Sequence, residues 1–125
     1  MKIIYRVKWL FICFILLSGC QKQSVLEIRD FYATGPDTFS VFSVVKDEAE
    51  VYIAEVNKLN EFFQNNVMEI SAFGVHKASS PQVKKLIEEY DIQDYPTYLL
   101  FDSEKLLLKE TDYNKFEMGA EDLMD

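Results

Sequence analysis

Between Thr38 and Val45 the chain reads TFSVFSVV. Apolar and β-branched residues fall on both alternating sets, so a strand here buries side chains on each of its faces. Such a strand lies inside a sheet and needs cover above and below. Directly after it the period changes. Ala49, Tyr52, Ile53, Val56, Leu59 and Phe63 recur at i, i+3, i+4 and i+7, which predicts a helix over about Asp47–Gln64. Asp47, with Glu50 three residues on, predicts a capping pair at its start, and Asn65-Asn66 ends it. A doubly buried strand followed by a long amphipathic helix places the chain in the α/β class.

The rest of the chain extends this pattern. Val25–Phe31 is expected as a short first strand, followed by a turn at Thr34-Gly35-Pro36-Asp37. VMEISAFGV, Val67–Val75, predicts a further strand. Ser80 and Pro81 supply an N-cap and a first-position proline for a helix that presents Val83, Leu86, Ile87 and Tyr90 on one face. Two apolar runs near Thr97–Phe101 and Leu106–Glu110 flank the polar turn Asp102–Lys105, a hairpin signal. Only six residues follow Gly119, so the expectation at the C-terminus is a helix of barely more than one turn or a partly uncovered sheet face.

The first nineteen residues have a different character. Lys2, Arg6 and Lys8 precede an unbroken apolar run, Trp9–Leu17, and then the small residues Ser18 and Gly19. This is the layout of an export signal. The run is nine residues long, whereas a membrane-spanning helix needs about 20. Leu17-Ser18-Gly19-Cys20 resembles the lipobox of bacterial lipoproteins. That resemblance implies cleavage between Gly19 and Cys20 and a diacylglycerol thioether on the Cys20 sulfur. Residues 1–19 are then the signal, 20–24 the lipidated cysteine and a tether, and 25–125 one domain. Two acyl chains anchor a protein stably where one does not. A tether this short reaches only about 14 Å when extended, so the domain is expected close to the outer face of the membrane.

Charge and sulfur narrow the chemistry. The leader holds three of the 13 cations and none of the 21 acidic residues, so the remainder is more acidic than the formal −8 of the whole chain. Such a surface repels nucleic-acid phosphates and anionic head groups. The only cysteines are Cys13 and Cys20. Loss of the first and alkylation of the second leave no disulfide, no thiolate nucleophile and no thiol-based metal site. His76 is the single histidine, expected in a loop after the second strand and exposed there. A Ser–His–Asp arrangement would need Ser79 or Ser80, which stand where the helix needs a cap. One histidine and scattered carboxylates give no metal-ligand spacing. Glu48 with Glu50, and Glu88 with Glu89, do not face each other on a helix and read as solvated faces. No phosphate-binding glycine motif is present. The expectation is a non-catalytic chain without cofactor or metal.

Tyr90-Asp91-Ile92, Tyr95-Pro96-Thr97 and Leu99-Leu100-Phe101 together resemble the thioredoxin-like superfamily, in which a helix ends, an X-Pro-Thr follows, and an apolar strand begins. The resemblance implies a single domain with a central mixed sheet and flanking helices, and a cis proline at Pro96 beside the family's active site. It also implies redox cysteines at the start of the first long helix. Here that place reads Val45-Lys46-Asp47-Glu48-Ala49-Glu50. The carboxylates suit a helix N-terminus, by about 0.3–1 kcal/mol each, but they cannot exchange disulfides. Tyr95, Pro96 and Thr97 are the candidate peptide-binding groove, where a peptide would add as an extended strand. The alternative is that Pro96 shapes the entry to a core strand while Tyr95 packs nearby.

The functional expectation is a membrane-anchored, extracytoplasmic lipoprotein of a bacterial cell envelope whose thioredoxin-like domain binds or scaffolds a protein or peptide. Two alternatives stand beside it. One is a small structural lipoprotein associated with peptidoglycan. The other is a thiol–disulfide enzyme, which would require Cys20 to stay unlipidated.

Overall fold

The computed structural model describes residues 24–124. Four strands and three helices follow one another as β1 (Phe39–Val45), α1 (Ala49–Asn65), β2 (Ile70–Lys77), α2 (Lys84–Glu89), β3 (Thr97–Phe101), β4 (Leu106–Glu110) and α3 (Tyr113–Met124). The sheet order is β2-β1-β3-β4, with β1 and β2 parallel and the other two pairings antiparallel. The mixed sheet expected from the sequence is therefore present, and the hairpin strands fall where their apolar runs predict.

β1 is buried along almost its whole length, and alternation divides it between two cores. Val41 joins Leu59 and Phe62 of α1, Tyr98 and Leu100 of β3, and Phe116 and Ala120 of α3. Phe42 and Val44 face the opposite side, with Leu99, Phe101, Val83 and Leu86. Helices α1 and α3 thus cover one face and α2 the other.

Four local expectations are corrected. Val25–Phe31 is not a strand: Ile28–Phe31 forms a 3-10 turn in which the Glu27 N–H donates to the Asp30 carboxylate at 2.8 Å. A side chain that bonds so near in sequence competes with any strand ladder. Phe31 is buried against the α2 face, edge-on to Phe42 with ring centroids 5.0 Å apart. The capping pair at α1 does not form either. Glu48 holds the cap position without a side-chain bond, and Asp47 Oδ1 accepts instead from the Ser79 N–H at 3.3 Å. The strand expected over Val67–Val75 begins only at Ile70, because residues 66–69 form a turn, and it runs on to Lys77.

The fourth correction concerns the C-terminus. α3 is a 12-residue helix that begins well before Gly119 and buries Phe116 and Ala120, so the α1 side of the sheet is covered. Asp112 caps it, its Oδ1 accepting from Asn114 N–H (2.8 Å) and Lys115 N–H (3.2 Å). Gly119 is not a terminator. It is where the helix lies closest to β4: a Cβ there would stand 3.0 Å from Leu108 Cδ2. At the other helix start the expectation holds, since the Ser80 hydroxyl accepts from Gln82 N–H and Pro81 opens a 3-10 turn that leads into α2.

Candidate functional site

The peptide bond between Tyr95 and Pro96 is cis. Thr97, the first residue of β3, is buried, and its hydroxyl donates to the Asp94 carbonyl at 2.5 Å. The Tyr95 hydroxyl lies 3.5 Å from the Ile92 carbonyl, and its ring packs against the α2-side core. The three residues named from the sequence are therefore brought together, but their side chains are used by the fold. Of the two readings left open, a shaped strand entry with Tyr95 packed beside it matches these contacts.

Val44 pairs with Thr97 at the end of the β1–β3 ladder, so the chain leaving β1 at Lys46 and Asp47 runs beside the loop that carries Tyr95 and Pro96. Lys46, Asp47, Glu48 and Glu50 are exposed there. No sulfur stands among them. Cys20 and Gly19, with the proposed lipidation and cleavage, lie outside the described residues, as does Cys13.

His76 is not in a loop. It lies within β2, opposite Val44, with its ring 6.1 Å from Phe31 and 6.0 Å from Phe42. Burial among these rings pulls its pKa below the usual histidine range. Gly74, two residues back on the same face, leaves the space that the Phe42 ring fills: a Cβ there would stand 3.2 Å from it. Of the nearby serines, Ser79 gives its N–H to Asp47 and Ser80 caps the turn at Pro81. Among the described residues no group of three His, Cys, Asp or Glu is placed to hold a metal ion.

Two features escaped the sequence reading. The first is a polar tie across the α1-side core. Tyr98 of β3 donates to Glu55 Oε1 at 2.5 Å, both side chains buried, while Lys58 reaches Glu55 Oε2 at 3.4 Å and lies over the Tyr113 ring. Burial, then the Glu55 bond, raises the Tyr98 pKa far beyond the tyrosine range. Burial, followed by nearby carboxylates led by Glu117, pushes Tyr113 up to about 12. Both phenols keep their protons, which makes this a tie between helix and sheet rather than an acid–base pair. Glu55 is not among the apolar positions that mark α1 in the sequence, and nothing local signals its burial.

The second is a groove of about 620 Å³ along the outer side of β2, between Tyr52 of α1 and the turn at Pro81–Gln82, floored by Val75, His76 and Lys77. No run of residues announces it, because it lies along the side of β2 that pairs with no strand among the described residues.

No protein-family model matches the sequence, and no curated protein matches it. Solved structures do. Thioredoxin f2 of Chlamydomonas reinhardtii superposes with a TM-score of 0.59 at 15% identity, over 81% of this chain and 96% of that one. Thioredoxin from Trypanosoma brucei brucei gives 0.56 at 11% identity, covering 82% of this chain and 90% of the other. Thioredoxin O2 of Arabidopsis thaliana, in its oxidized state, gives 0.54 at 13%, over 71% and 77%. At these identities the likeness is one of fold. The chain has a single thioredoxin-like domain.

Proposed function

We propose that this protein is a lipid-anchored lipoprotein on the outer face of a bacterial cell membrane, and that its thioredoxin-like domain is a binding or scaffolding module without redox activity. The anchor rests on Leu17-Ser18-Gly19-Cys20 behind a short basic and apolar leader. The loss of redox chemistry rests on one observation. Beside the cis Tyr95–Pro96 bond the start of α1 carries Lys46, Asp47 and Glu48, and residues 21–125 contain no cysteine. A positive helix end that would stabilise a thiolate here meets carboxylates instead.

The runner-up is a thiol enzyme working through Cys20, which would need that sulfur free. Intact mass of the membrane-extracted chain separates the two. A chain beginning at Cys20 with a diacylglycerol, no titratable thiol and no reduction of a disulfide substrate is the expected result. A free Cys20 thiol together with disulfide reductase activity would overturn the proposal.

A further inference from the structure

β2 is an edge strand: it hydrogen-bonds to β1 and, among the described residues, to no other strand. The Ala78 N–H donates to the Val45 carbonyl at 2.8 Å. Strand alternation therefore turns the backbone groups of His76 and Gly74 toward β1, and directs those of Phe73 and Val75 and the Lys77 N–H outward, while the Lys77 carbonyl is taken by the Ser80 N–H at 2.9 Å. Unpaired groups of this kind are a template for another strand. The groove lies along this open side. Its far end is closed, because Thr34 N–H donates to Ser71 Oγ at 3.3 Å and brings the chain before β1 against the start of β2. What stays open is a slot over Phe73–Lys77, about 17 Å of extended chain.

The lining limits what fits. Tyr52 and the turn at Pro81–Gln82 both line the slot, which suits one bare extended chain. The edge of a second folded copy would bring its own helix and turn into the same space, and two copies of a chain with formal charge −8 repel each other. Lys77 is the only residue of the lining with a formal charge. Its ammonium lies over the Tyr52 ring, 5.4 Å from the centroid, and among the described residues it pairs with no carboxylate. Asp47, in the chain leading into α1, accepts from the N–H of Ser79, a residue of the lining.

We propose that the open edge of β2 binds an extended segment of a partner protein. The segment adds as a fifth strand against Val75 and Lys77, sets apolar side chains toward Tyr52 and Pro81, and places one carboxylate on Lys77. The backbone bonds supply affinity, and the alternate side chains with the carboxylate supply selection. This inference rests on the reading of the domain as a binding module and moves its binding site from Tyr95–Thr97 to β2.

The test uses the full chain, extracted in detergent, on an array of ten-residue peptides that are uncharged except for one Asp or Glu. The same peptides with Lys in that place serve as the comparison. Acidic peptides are expected to bind and their Lys counterparts to bind about tenfold more weakly. Lys77→Glu should reverse that preference. Val75→Pro, which removes an outward N–H while leaving the β1 ladder intact, should abolish binding, whereas Val75→Ala and Tyr95→Ala should keep it. Binding that survives Val75→Pro and is lost in Tyr95→Ala overturns the β2 site while sparing the binding-module reading. No change of preference in Lys77→Glu overturns the site even if Val75→Pro fails to fold. A chain that dimerises through β2 and ignores every peptide overturns the inference in favour of a second copy.

Discussion

Tyr98 shows how far a single hydroxyl can matter in this domain. It reaches across the α1-side core to a carboxylate that is itself buried, so Tyr98→Phe leaves Glu55 Oε1 without its phenol donor and only Lys58, at 3.4 Å from Oε2, to answer the charge. The expected cost is about 1.5–3 kcal/mol, a large share of a small domain's stability, and it is read from the urea midpoint. His76 gives a pH dependence of opposite origin. Its folded pKa lies below the usual histidine range, so the native state favours the neutral ring. Stability is then complete above about pH 6.5 and declines as the pH falls from there toward the lowered value, because the unfolded chain takes up the proton first. Denaturant midpoints at pH 7.5 and 5.5 should differ in the wild type and converge in His76→Gln. Neither residue was legible for its role. Glu55 is a charged residue outside the apolar pattern that marks α1, and the apolar run that marks β2 stops at Val75, one residue short of His76.

Elements were easier to read than their ends. The apolar runs of β3 and β4 sit either side of a polar turn, and Asp102 Oδ1 accepts from Glu104 and Lys105 N–H there, so sequence and hydrogen bonding agree on the hairpin. β1 was legible because nothing but a central strand buries both alternating sets. α3 was not, because a glycine amid a helical period reads as a stop. Here its missing side chain serves contact with Leu108, a tertiary reason that no local pattern contains. α3 holds the α1-side core closed through Phe116, which is fully buried and packs against Phe62 and Tyr98. Phe116→Ala should cost about 3–5 kcal/mol. Limited proteolysis should then cut within Tyr113–Met124 before anywhere in β1 or β3; a cleavage pattern unchanged from wild type would mean that α3 does not depend on this contact.

At the scale of the molecule, the chain enters the domain at a fixed point. The Leu26 N–H donates to the Gln82 carbonyl at 3.3 Å, and Glu27 pairs with Lys85 at 2.6 Å, so the chain is held to the α2 side within a few residues of Cys20. A Cys20→Ala chain is expected in the soluble fraction with unchanged thermal stability, while the wild type sediments with membranes; equal partitioning of the two would refute the anchor. The fold itself was legible at this scale from element order and the Tyr95-Pro96-Thr97 motif, whereas the open side of β2 depends on a pairing that no segment among the described residues makes. The layered burial also sets an order of opening. β1 and β3 lie at the centre of the sheet with nearly every residue shielded, so their amide hydrogens exchange with solvent only when the whole domain unfolds. Amides on the outer side of β2 are expected to exchange from the folded state within the same molecule, which leaves one strand carrying fast- and slow-exchanging hydrogens on its two sides.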